Sequence, residues 1–171
     1  MLRAETQIRP SPTRDSHLNA EHTLNALGLT LPSAKAPAGN YASTVRTGNL
    51  LFISGRAPGP VDGLAPKGRL GREYSAVDGY ALARSACLDL LAVVKEKIGS
   101  LDAVAQFVEL HGSLNAVAEF EDHAKVMDGA SDLLAAVFGK AGLHARSVVG
   151  VSSLRNGVPL TLKAIVEVRA A

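Results

Sequence analysis

The sequence predicts an α+β fold, with two long helices laid on one face of a sheet. Three observations predict it. Long helical periodicity is confined to two stretches, 74–99 and 125–139. Short β-prone runs bounded by Gly, Asn and Pro lie before, between and after those stretches, in the order β-β-α-β-α-β-β. The composition, 47% hydrophobic and 20% charged, is that of a globular chain, and 4% aromatics with no Trp makes its core aliphatic.

Residues 1–17, with Pro10 and Pro12, read as a loose polar arm. Leu18, Leu24 and Leu27 line one side of a short helix that Gly28 stops, and "LPSAKAPAGN" is a connector. The chain therefore divides into an arm and short helix over 1–38 and one main domain over 39–171. "YASTVRTGNLLFISG" is a hairpin turning at Thr47-Gly48-Asn49. Residues 56–72 form a loop carrying Arg56, Lys67, Arg69 and Arg72, expected as a solvated, flexible rim. In the first long helix Ala76, Tyr80, Ala83, Cys87, Leu90, Leu91, Val94 and Ile98 make the apolar face, and Asp78, Ser85, Asp89 and Glu96 lie opposite. "AVAQFVEL" (103–110) is a strand. The second helix turns Val126, Ala130, Leu133, Leu134 and Val137 inward. "RSVVGVSSL" and "VPLTLKAIVEV" are strands joined through Arg155-Asn156-Gly157, a short-turn signal.

Two helices cover only one face of such a sheet. Val149, Val151, Leu160 and Leu162 cannot all be buried by them, so the chain is expected to self-associate. A net charge of +2 and few aromatics argue against nucleic acid as a partner. One cysteine excludes an internal disulfide, and no histidine pair has helical metal-site spacing, so no metal is expected. No apolar run suits a membrane span or a secretory signal, so a cytoplasmic location is expected.

Cys87 lies on an apolar helix face and reads as a buried small hydrophobe. His144 is two residues from Arg146 and could border the same pocket, but an ordinary surface loop is the better account of it. Arg146 stands at the mouth of an apolar strand. Its planar guanidinium suits two-pronged capture of a carboxylate, and a strand end mounts it rigidly. A structural ion pair at a sheet edge explains it equally.

"GNYASTVRTGNLLFISGRAP" and "ARSVVGVSSLRNGVPLTLKAIVEV", with the element order between them, resemble the YjgF/RidA family, also called endoribonuclease L-PSP. The resemblance covers about residues 39–169 and points to a branch of longer chains with an N-terminal extension. It implies a chorismate-mutase-like fold with a mixed sheet, a homotrimer, and a cleft at each subunit interface. It implies hydrolytic deamination of small enamine or imine metabolites, without a cofactor. Arg146 takes the place of the family arginine that binds the substrate carboxylate, and Tyr41 and Ser54 match the cleft tyrosine and serine. The implied partner is a 2-imino or 2-keto acid.

Three departures bear on the chemistry. The family glutamate on the last strand is Thr161, whose hydroxyl cannot titrate near neutral pH. Lys163, on the same side of the strand, can bind an anion or, if desolvated, act as a base. The cysteine after the Ala-Arg-Ser motif is Val148, and the asparagine near the second helix is Asp128. An aspartate there either pairs with Arg146 and blocks the clamp or supplies the missing carboxylate. The catalytic candidates are Arg146, Thr161 and Asp128, and the binding candidates are Arg146, Tyr41, Ser54 and Lys163. A binding or protective trimer without catalysis is the second reading, and RNA cleavage the third.

Overall fold

A computed structural model describes residues 19–170. The arm expected over 1–17 lies outside them, as does Leu18. In chain order the elements are α1 (Ala20–Ala26), β1 (Thr44–Thr47), β2 (Leu50–Arg56), α2 (Ala76–Ile98), β3 (Val104–Asn115), α3 (His123–Phe138), β4 (Ala145–Val151) and β5 (Leu160–Val168). The strands form one sheet in the order β1-β2-β5-β3-β4. The β3–β4 pair is parallel and the others antiparallel, which makes the sheet mixed.

The helices form where their caps and periodicity place them. Ser75 and Asp78 close a capping box at the start of α2, and Gly99 ends it at φ 85°. Leu90, Leu91, Val94 and Cys87 of α2 are buried with Val126, Ala130, Leu133, Leu134 and Val137 of α3. The two helices pass close together at Gly129, where a Cβ would collide with the Tyr80 carbonyl oxygen. One expectation for α2 is overturned. Asp89 is not on a solvated face; it is buried and bonded to Arg56. A carboxylate can point inward there because a cation from β2 meets it.

Strand alternation sets the two faces of the sheet. On β5, Leu160, Leu162, Ala164, Val166 and Val168 are buried beneath the helices, while Thr161, Lys163, Ile165 and Glu167 alternate with them. Leu160 and Leu162 are thus covered by the helices. The other two of the four residues that the helices could not all bury stay less covered: Val149 is exposed and Val151 half-buried. Phe52 pairs with Ile165 across β2 and β5 and is 41% exposed. That face has no covering layer among the described residues.

Two further differences have local causes. β3 runs on to Asn115, past the expected end at 110, because Gly112 makes room for Met127 of α3 over the strand. Arg155-Asn156-Gly157 does turn the chain, with Asn156 at φ 58°, but β4 and β5 are not neighbours. β5 enters between β2 and β3, and β4 joins β3 by the α3 crossover that a parallel pair needs. α1 packs Ala20 and Leu24 into the same core as the helices and sheet.

Candidate functional site

Arg146 is the second residue of the edge strand β4, opposite Leu110 of β3. Val148, two residues on, packs against the core, so both side chains turn to the helix-covered side. Arg146 Nη1 donates to Asp128 Oδ1 at 2.7 Å and to Ser131 Oγ at 3.0 Å, both on α3. The Nε/Nη2 edge of the guanidinium has no partner among the described residues, so two parallel donors stay available. Ser131 is itself held. His144 Nδ1 lies 2.7 Å from the Gly142 carbonyl oxygen and Nε2 lies 3.1 Å from Ser131 Oγ. A carbonyl only accepts, so Nδ1 carries the proton; in the neutral ring Nε2 then accepts from the Ser131 hydroxyl. The chain His144–Ser131–Arg146–Asp128 fixes the guanidinium. It answers the sequence's even choice in part: Arg146 is an ion-pair residue at a sheet edge, and it keeps a free fork.

Tyr41 and Thr161 come together elsewhere, at the end of the sheet where β5 begins. They line a cavity of about 410 Å³ with Lys35, Arg56, Asp89 and Arg155. Tyr41 is 52% exposed at its mouth. Its floor is an ion pair, Arg56 Nε to Asp89 Oδ2 at 2.6 Å. The register of β2 against β5 shifts between Ile53 and Arg56, and this bulge lets the Arg56 side chain reach α2. Ser54 does not line the cavity; its Oγ donates to the Ala42 carbonyl at 2.7 Å.

Lys163 lies on the uncovered face beside Thr161, in a hollow of about 240 Å³ shared with Gly55, His111 and Ser113. His111 Nδ1 is 2.7 Å from Ser147 Oγ, and Ser113 Oγ is 3.4 Å from His111 Nε2. These cross-strand neighbours were not legible in the sequence, because they depend on the register of β3 with β4 and β5.

The expected site residues thus fall into two groups within one chain. Arg146 and Asp128 are on the helix side of the β4 edge. Thr161 and Lys163 are on the opposite face of β5, and Tyr41 lines the cavity at its start. Two strand spacings of about 4.8 Å each separate β4 from β5. The basic loop is a solvated rim only in part: Lys67 and Arg72 are exposed, with Arg72 paired to Glu73, whereas Arg56 is buried and Arg69 Nη2 donates to the Ala116 carbonyl. Among the described residues no three metal-ligating side chains gather, and no helix is long and apolar enough to cross a membrane. Cys87 has its thiol pushed up to about 12 by burial, only partly offset by Arg84.

Comparison with known proteins places this geometry in context. A family model described as "YjgF/chorismate mutase-like, putative endoribonuclease" matches residues 21–166. Protein TCP17 of Trypanosoma cruzi is 38% identical over 145 residues, covering 84% of this chain and 91% of that protein. A crystal structure from Shewanella oneidensis, described as a "putative endoribonuclease", superposes with a TM-score of 0.84 at 35% identity, over 88% of this chain and 99% of the other. Escherichia coli TdcF, crystallised with bound serine, shares the fold at 23% identity with a TM-score of 0.58, over 80% of this chain and 94% of its own.

Proposed function

The chain belongs to the YjgF/chorismate-mutase-like family, and from that premise we propose that it forms a homotrimer whose interface clefts hydrolyse a small carboxylated enamine or imine. The observation that carries this reading is the division of the site. Arg146 with Asp128 is at the β4 edge, and Tyr41 with Thr161 lines a cavity two strands away and three residues along the β3 register, so no single ligand of metabolite size meets both within one chain. A second copy, with its uncovered face packed against the first, brings the guanidinium of one chain to the cavity of another. Phe52, Ile165 and Val149 give that contact its apolar surface.

The chemistry asked of the cleft is modest. Water adds to the carbon of a C=N bond, the C–N bond breaks, and ammonia leaves a 2-keto acid. The free Nε/Nη2 fork of Arg146 takes the α-carboxylate in a two-pronged bond. Asp128, already on Nη1, holds the fork in orientation and presents a carboxylate to the water. The Thr161 hydroxyl positions water but cannot take its proton. An imine is electrophilic by itself, so orientation supplies much of the acceleration. The TdcF structure with serine supports a small amino-acid-like ligand for this fold.

A second reading, a carboxylate-binding trimer without catalysis, is favoured by the hydroxyl at 161 in place of an acid or base. Light scattering and a 2-aminoacrylate assay coupled to a serine dehydratase test both. A trimer that accelerates loss of 2-aminoacrylate supports the enzyme. A trimer that binds 2-keto acids but leaves 2-aminoacrylate alone supports the second reading. A stable monomer at micromolar concentration defeats the interface cleft.

A further inference from the structure

The cavity at Thr161 is larger and more positive than a three-carbon substrate needs. Lys35 comes from the segment before β1 and Arg155 from the turn before β5, and neither has an ion-pair partner among the described residues. The third cation, Arg56, is neutralised by Asp89, so its charge is already spent. Two uncompensated cations therefore face a cavity of about 410 Å³. At about 30 Å³ for each water-sized group, an acid of about six heavy atoms fills less than half of it. Lys35 and Arg155 are both exposed residues that line the cavity, so their charges are solvated until an anion enters.

We propose that the substrate carries a second carboxylate, at the end of its side chain, which Arg155 and Lys35 bind while Arg146 of the neighbouring copy binds the α-carboxylate. The ligand class is a 2-imino dicarboxylic acid. Its product is the matching 2-keto diacid. This assignment rests on the interface-cleft reading above. The two charges at the β5 end select for the side chain, and the fork at Arg146 is common to every 2-keto or 2-imino acid. Arg155 is a specificity residue under this assignment, and it makes no bond to the reacting carbon.

The test compares two five-carbon acids, 2-oxoglutarate and 2-oxopentanoate, by isothermal titration calorimetry at low and moderate salt. They differ only in the distal carboxylate. The expected result is about tenfold tighter binding of 2-oxoglutarate, with a steeper loss on adding salt. Arg155→Gln and Lys35→Gln should each remove most of that preference and leave 2-oxopentanoate affinity unchanged. Both positions are exposed, so neither change threatens the fold. Equal affinities in the wild-type protein overturn the dicarboxylate assignment and leave the carboxylate cleft standing. Loss of both acids in Arg155→Gln overturns it as well, because Arg155 would then act on the common carboxylate. If neither acid binds the wild type while the protein is trimeric, the carboxylate cleft itself fails, and the second carboxylate with it.

Discussion

Arg56 and Asp89 meet at 2.6 Å with their side chains 9% and 6% exposed, so a charge from the end of β2 and a charge from the middle of α2 neutralise each other inside the protein. The Arg56 guanidinium also reaches the Lys35 carbonyl at 3.5 Å. The pair ties three segments to one wall of the cavity. Separating charges from water is costly, and a lone buried charge is worse than a pair.

Asp89→Asn should therefore lower stability by about 3–5 kcal/mol, the range for breaking a buried pair. Urea unfolding followed by circular dichroism measures it. A loss below about 1 kcal/mol would mean that water reaches Arg56 through the cavity and screens it.

Arg146→Lys keeps a charge at the β4 edge but loses the fork. Affinity for a 2-keto acid should fall by about 1.5–3 kcal/mol, the range for hydrogen bonds to charged groups. Stability should change little, because the pair with Asp128 is partly exposed. Calorimetric titration gives the first quantity and thermal melting the second.

Thr161→Glu should raise the rate of 2-aminoacrylate loss, up to the roughly 10²–10⁴-fold that general acid–base help supplies. Lys163 lies beside it in the same hollow and can pair with the new carboxylate, so the Thr161→Glu, Lys163→Gln double variant should be faster still. No gain in either variant, with binding of 2-keto acids intact, assigns the water to Asp128 or removes catalysis altogether.

Gly129→Ala should destabilise the protein by at least about 1–3 kcal/mol, because the added methyl meets backbone of α2 rather than a side chain that can move aside. Thermal melting is the measurement. An unchanged melting temperature would show that α2 and α3 can separate slightly without cost.

The attachment of α1 should depend on pH. Burial alone raises the Glu21 carboxyl, but bonds from Lys95 Nζ, the Leu101 amide and Ser100 outweigh it and hold the carboxyl below its ordinary 4.5. The folded form then binds protons less readily than the unfolded one. Its contribution is fully present above about pH 4.5 and is lost as pH falls through the lowered value. Hydrogen exchange of the α1 amides should speed up below pH 4 in excess of the exchange in α2. Glu21→Gln should abolish that difference. Equal acid sensitivity in α1 and α2 would refute the assignment.

What could be read from the sequence divides along the line between local and distant information. The faces of α2 and α3 were legible because Val126, Leu133, Leu90 and Leu91 repeat at helical spacing. Cys87 was legible for the same reason. Asp89 was not, because an acid that meets solvent and an acid that meets a cation 33 residues away leave the same mark on a helix. Arg146 stood out because it stands at the mouth of an apolar strand. Its supports, Ser131 and His144, emerge only when α3 lies over β4. Asn156-Gly157 specifies a turn, but the partner of the next strand is decided by which apolar face the helices cover.

β5 is the central strand of the sheet and the last of the five in the chain, bonded on one side to β2 and on the other to β3. During synthesis, β1, β2, β3 and β4 leave the ribosome with a gap where the middle of the sheet belongs. Two halves of a sheet wait with open edges, and open edges recruit other chains. A nascent chain stalled before residue 160, or one cut by a premature stop codon there, is therefore two unfinished fragments on one polypeptide, a natural client for chaperones and proteases. Only when β5 emerges can the halves join.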